Sequence, residues 1–121
     1  MPARHILIAD DDDGVRSWLA RVVVRTYPSV TLVAVKDGAE ALIAYGQRPA
    51  DLVITNTQMP IMSGLDLVRA LRAQRIGIPI LMLSANTTIE ATALAAGATR
   101  FLAKPVQLSL LQKTLVDLLP P

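Results

Sequence analysis

Cysteine is absent from these 121 residues, which excludes disulfide bridges and thiolate metal sites and fits a reducing compartment. Histidine occurs once, as His5 at the start of an apolar run, where a structural role outweighs a phosphohistidine or a metal ligand. Phe and Trp also occur once each, as Phe101 and Trp18. No uncharged apolar run approaches the ~20 residues of a membrane helix, and the apolar N-terminal stretch is too short for a signal peptide, so no membrane role is expected and the cytoplasm is the expected location. Charge of neither sign is gathered into a long block: 12 basic residues face 10 acidic ones, net +2, and no nucleic-acid footprint is visible. Repeats, low-complexity tracts and linkers are missing as well, which predicts a single domain over residues 1–121. Met1 reads as a genuine start, whereas Pro120-Pro121 leaves open whether an output module follows.

What is present is apolar: 52% hydrophobic residues and a mean hydropathy of +0.43. Without a membrane span, this excess reads as a sheet buried on both faces. Five short runs read as strands: His5–Ala9, Thr31–Val35, Leu52–Thr55, Ile80–Leu83 and Arg100–Ala103. Helical patterns lie between them. Asp37-Gly-Ala-Glu40, Ser63-Gly-Leu-Asp66 and Thr87-Thr-Ile-Glu90 resemble capping boxes, Gly46, Gly77 and Gly97 read as helix stops, and Pro120 ends the last helix. Val15, Leu19, Val22 and Val23 share one face of the first helix, as Leu108, Leu111 and Leu115 do in the last. Strand–helix alternation repeated five times predicts an α/β fold, a doubly wound parallel sheet with helices on both sides. Ligands in such sheets bind beyond the carboxyl ends of the strands, where the strand order reverses.

The polar residues at those strand ends form one pattern. Asp10-Asp11-Asp12-Asp13 follows the first strand, Asn56 the third, Ser84 the fourth and Lys104 the fifth. Carboxylates, a hydroxyl and an ammonium around one point suit a metal and a phosphoryl group, yet the centre holds an amide where a carboxylate nucleophile is needed. Four stretches carry a resemblance spanning nearly the whole chain: Ile6–Arg16, Asp51–Gly64, Pro79–Ala85 and Gly97–Pro105. In this order and spacing the sequence resembles the response-regulator receiver domains of two-component signalling, similar in size to single-domain chemotaxis regulators. The resemblance implies a flavodoxin-like sheet of five strands in the order 2-1-3-4-5 with five helices.

It also implies roles. Asp11 would ligate Mg²⁺ directly, Asp10 mainly through water, and the side chain of residue 56 and the Gln58 backbone carbonyl would complete the protein ligands. Ser84 would hydrogen-bond a phosphoryl oxygen and Lys104 would pair with another, its ammonium aimed inward by a cis Lys104–Pro105 bond. Phe101 falls at the switch aromatic, which moves when Ser84 shifts. Histidine kinases or phosphotransfer proteins are the implied donors, and the face of the fourth helix, fifth strand and fifth helix the implied surface for a downstream target. Simpler readings stand beside these: Asp12 or Asp13 as a helix cap, Asp10 and Asp11 as a solvated acidic turn, Ser84 as a buried hydroxyl, Lys104 as a surface lysine, Phe101 as core and Asn56 as a turn residue.

Asn56 falls where the family has its phosphoacceptor Asp. An amide oxygen is neutral and delocalised and would leave no stable acyl phosphate, so phosphorylation at position 56 is not expected and Mg²⁺ binding is expected to weaken. Losing a negative charge beside Asp10 and Asp11 also relieves repulsion, so the fold is expected to gain stability. Asn56 is either an introduced replacement or natural; deamidation runs the wrong way to create it. The chain is accordingly either a receiver silenced by one substitution or a pseudo-receiver that binds partners without phosphorylation. A homodimer through a patch around Leu110 and Ile89 is a further expectation. A metal-dependent phosphohydrolase lacks a nucleophile or activating base here.

Overall fold

The computed structural model describes residues 3–121; Met1, and the reading of it as a genuine start, lies outside the described residues. Five strands, β1 (His5–Ala9), β2 (Thr31–Val35), β3 (Leu52–Asn56), β4 (Ile80–Ser84) and β5 (Arg100–Ala103), alternate with five helices. The helices are α1 (Asp13–Thr26), α2 (Gly38–Gln47), α3 (Gly64–Ala73), α4 (Glu90–Ala96) and α5 (Leu108–Leu118). All neighbouring strands are parallel, in the order β2-β1-β3-β4-β5. This is the flavodoxin-like arrangement.

Alternation along the central strands explains the apolar excess. Ile6, Ile8, Leu52, Ile54, Leu81 and Leu83 face one side and meet Leu19, Val22 and Val23 of α1 and Leu111 and Leu115 of α5. Leu7, Ala9, Val53, Ile80 and Met82 face the other and meet Ala41 of α2, Leu67, Val68 and Leu71 of α3, and Ala93 of α4. Each Val, Leu, Ile or Met side chain among them contributes about 1.5–3 kcal/mol when removed from water. The edge strands β2 and β5 are only partly covered.

Several local expectations are corrected. β3 and β4 each run one residue further than their apolar runs, because Asn56 pairs in register with Leu83 and Ser84 with Ala103. Two caps form as read: Asp37 accepts from the Glu40 amide and Ser63 from the Asp66 amide. Thr87 does not cap α4. A 3-10 turn at Thr87–Ile89 intervenes, and its cap is Asn86, whose side chain accepts from the Thr88 amide. Gly46 lies inside α2, and α3 ends before Gly77 with Arg75 taking the left-handed conformation at φ 61°. Gly97 does end α4: its φ is 121°, and a Cβ there would stand 2.6 Å from Arg72 Cγ. Leu108 does not share the inward face with Leu111 and Leu115; it is 47% exposed, and Thr114 is buried in the helix's inner row instead. Trp18 is half-buried against the α1 side of the core.

Candidate functional site

The order reverses between β1 and β3: β1 leads to β2 on one side, and the chain then returns to lay β3 on the other. The carboxyl ends of β1 and β3 therefore adjoin, and the polar residues that end them meet. The start of α3 packs against the end of β3 at Gly64. Its amide donates to the Thr57 carbonyl at 2.8 Å, and a Cβ at this position would stand 1.8 Å from the Asn56 carbonyl oxygen, so only glycine lets α3 start this close to β3.

An open cleft of about 760 Å³ lies above the strand ends, lined among others by Asp11, Asn56, Gln58, Ser84 and Lys104. Asp10 has no exposed surface. Its Oδ2 accepts from Lys104 Nζ at 2.9 Å and its Oδ1 from the Asp12 amide at 2.9 Å, so the buried charge is paired and hydrogen-bonded. Asp11 is exposed, and its Oδ1 accepts from Asn56 Nδ2 at 3.1 Å. The same Nδ2 donates to the Gln58 carbonyl at 2.9 Å. The Ser84 hydroxyl accepts from the Asn86 amide at 3.0 Å and donates to the Asn86 carbonyl at 3.3 Å, which turns it to its own loop. The Lys104–Pro105 peptide bond is cis.

The acidic run divides its labour. Asp10 is buried against Lys104, Asp11 lines the cleft, Asp12 at the cleft wall caps α1 by accepting from the Val15 amide, and Asp13 pairs with Arg16. That hydrogen bond from Arg16 is the main reason the Asp13 carboxyl lies below its ordinary pKa. Arg16 also donates from Nη1 to the Asp10 carbonyl at 2.9 Å, bracing the turn. The sequence reading missed this brace, since one Arg in a helix's first turn has no motif; its only signal was the spacing of three from Asp13. Phe101 on β5 is partly buried against the core beside α4.

The structure thus joins Asp10 to Lys104 and Asp11 to Asn56 and Gln58, with Ser84 in the same cleft. Its lining is of mixed charge: the Lys104 ammonium, already paired with Asp10, and the carboxylates of Asp11 and Asp12. A hard dication asks for several oxygen ligands. Among the described residues no group of three or more acidic or imidazole side chains could hold a metal, and Asn56 turns a nitrogen, not an oxygen, toward Asp11 and Gln58. As arranged, the side chains do not fit a dication.

Comparison with known proteins agrees with the architecture. A family model described as the response regulator receiver domain matches residues 6–116. The chain is 38% identical over 121 residues to the sensory/regulatory protein RpfC of Xanthomonas campestris, covering 94% of this chain and 16% of that protein. It is 38% identical over 110 residues to the response regulator MprA of a Mycobacterium species, covering 89% of this chain and 46% of that one. The chain therefore spans less than half of the length of these relatives. Among solved structures, the chemotaxis response regulator CheY4 of Vibrio cholerae superposes with a TM-score of 0.86 at 31% identity, covering 98% of this chain and 100% of that one.

Proposed function

This chain belongs to the response-regulator receiver family, a family of signalling modules and not of conventional enzymes, and from that premise we propose that Asn56 occupies its phosphoacceptor position. Residues 1–121 then form one receiver domain whose acceptor chemistry is disabled by an amide. The observation that carries the reading is the position of the Asn56 side chain: at the end of β3, within hydrogen-bond reach of Asp11 and Gln58, in a cleft shared with Ser84 and Lys104. With Asp at 56, a carboxylate oxygen would attack the phosphorus of the donor, forming an acyl phosphate as the donor's leaving group departs. Ser84 and Lys104 would meet the phosphoryl oxygens, and Phe101 would follow Ser84 as the switch. With Asn at 56 that attack is lost.

Receivers of this family generally bind Mg²⁺ at the acceptor site. With Asp at 56, Asp10, Asp11, the position-56 carboxylate and the Gln58 carbonyl would be the ligand set; Asn56 removes one of its carboxylates and turns a nitrogen toward Asp11 and Gln58. The partners that follow from the reading are a histidine kinase or phosphotransfer protein and a target docking on α4, β5 and α5, in the cytoplasm, with Leu110 (47% exposed) open to a second copy. No helix among the described residues is long and apolar enough to cross a membrane. A second reading, a module that binds its partner without phosphorylation, is favoured by one feature: the amide nitrogen finds two acceptors in the cleft.

Incubating this chain and Asn56→Asp with Mg²⁺ and a small-molecule phosphodonor, and following intact mass, tests the assignment. One phosphoryl group gained only by the Asp variant supports a silenced receiver. No gain by either sinks the assignment of position 56 and leaves the phosphorylation-independent module.

A further inference from the structure

The Asn56 carboxamide uses both of its N–H groups inside the cleft. They reach oxygens on two separate loops, Asp11 Oδ1 after β1 at 3.1 Å and the Gln58 carbonyl after β3 at 2.9 Å. Turning the carboxamide over would set its oxygen against a carboxylate and a carbonyl, three acceptors with no hydrogen among them. Without a cation, the environment therefore selects the donor-inward orientation. Asp10 is likewise committed, one oxygen to Lys104 and the other to the Asp12 amide, each at 2.9 Å.

We propose that the Asn56 carboxamide is a built-in substitute for a divalent cation, tying the acidic loop after β1 to the loop after β3 and closing the site to Mg²⁺. The inference rests on reading position 56 as the acceptor position and goes further than a missing ligand. A cation would draw the Asp11 and Gln58 oxygens together through its charge; the amide does so through two polarised hydrogens. For Mg²⁺ to enter, both hydrogen bonds must break and the carboxamide must turn over, and the cation then meets one carboxylate fewer. The tied loops thus become a fixed property of the chain, independent of the ionic conditions around it.

Calorimetric titration of MgCl₂ into this chain and into Asn56→Asp tests the proposal, alongside proton–nitrogen spectra of the Asn56 side-chain NH₂ and intact mass to verify the amide. The Asp variant should bind Mg²⁺ more tightly by on the order of tenfold or more. In the unaltered chain the NH₂ signals should exchange slowly with water and stay in place at Mg²⁺ concentrations that saturate the variant. Equal affinities, or NH₂ signals that shift along a binding curve, overturn the substitute and leave the receiver assignment standing. If neither chain binds Mg²⁺, the reading of the acidic turn as a metal site falls and the inference with it. Asn56→Ala adds an arm that does not depend on the Asp variant folding: it removes the tie without adding charge. Backbone amides of residues 57–62 should then exchange faster than in the unaltered chain, and unchanged protection overturns the tie.

Discussion

The two ends of the sheet use similar polar side chains to opposite effect. At the amino end they are turned onto backbone and into loops. The Asp51 side chain accepts from the His5 amide at 2.8 Å, while the Asp51 amide donates to the His5 carbonyl at 2.7 Å. Arg72 donates to the carbonyls of Gly97, Ile76 and Ile78 at 3.0, 2.6 and 2.8 Å, binding the end of α3 to the turns that open β4 and β5. At the carboxyl end, polar side chains bond to one another instead: Lys104 to Asp10, and Asn56 to Asp11. Groups that satisfy backbone hold a fold in place; groups bonded to one another beside an open cleft must give up those partners before a ligand or an ion can enter.

The contrast can be broken at either end. The largest effect is expected from Arg72→Met, which leaves three backbone carbonyls without their charged donor and should lower stability by about 3 kcal/mol in urea denaturation. An unchanged midpoint would mean that the amino-end network is dispensable. Next comes Asn56→Asp, which adds a third carboxylate beside Asp10 and Asp11. It should cost roughly 1 kcal/mol without divalent cations and recover with Mg²⁺, read as a thermal midpoint with and without MgCl₂. A metal-free midpoint equal to or above that of the unaltered chain would refute the repulsion argument. The smallest effect is expected at His5. Burial first, then the positive charge of Arg48, pushes its imidazole below the ordinary 6.5, while its Nδ1 bonds with Thr31 Oγ1 at 2.8 Å. Folding therefore favours the neutral ring, so this contribution is complete above pH 6.5 and is lost as pH falls below it toward the folded pKa. Denaturation midpoints at about pH 7.5 and about pH 5.5 should show that loss, and His5→Gln should reduce it. An equal slope in both chains would remove His5 from the account.

The legible parts of the chain were those in which one local pattern had one structural outcome. Runs such as Ile6–Ala9 and Ile80–Leu83 are short, aliphatic and bounded by polar residues, and they became buried strands. Asp37 and Ser63 capped helices because the cap is local chemistry. The reading failed where competing local chemistry or an approach in three dimensions decided. Leu108 fits the helical spacing of Leu111 and Leu115, yet it sits in the first turn of α5 and is half exposed. Thr87 has the residues of a capping box, but the Asn86 side chain takes the Thr88 amide and hydroxyl and tightens the chain into a 3-10 turn. Arg72 looked like any solvated charge on an amphipathic helix, and only the approach of Gly97, Ile76 and Ile78 makes it a hub.

By itself, the sequence determined the five-stranded parallel sheet, the family, and the set of polar residues at the strand ends, because strand alternation and motif spacing are written along the chain. Which of those groups are partners was decided only by the tertiary structure. Asp10 is 94 residues from Lys104, and Asn56 is 45 from Asp11. The Asn56–Asp11 pair follows from the reversal of strand order, which brings the ends of β1 and β3 side by side, and the Asp10–Lys104 pair joins the end of β1 to the end of β5. The direction in which the Asn56 amide points follows from that geometry alone, since its donors turn to whatever acceptors the fold sets in front of them.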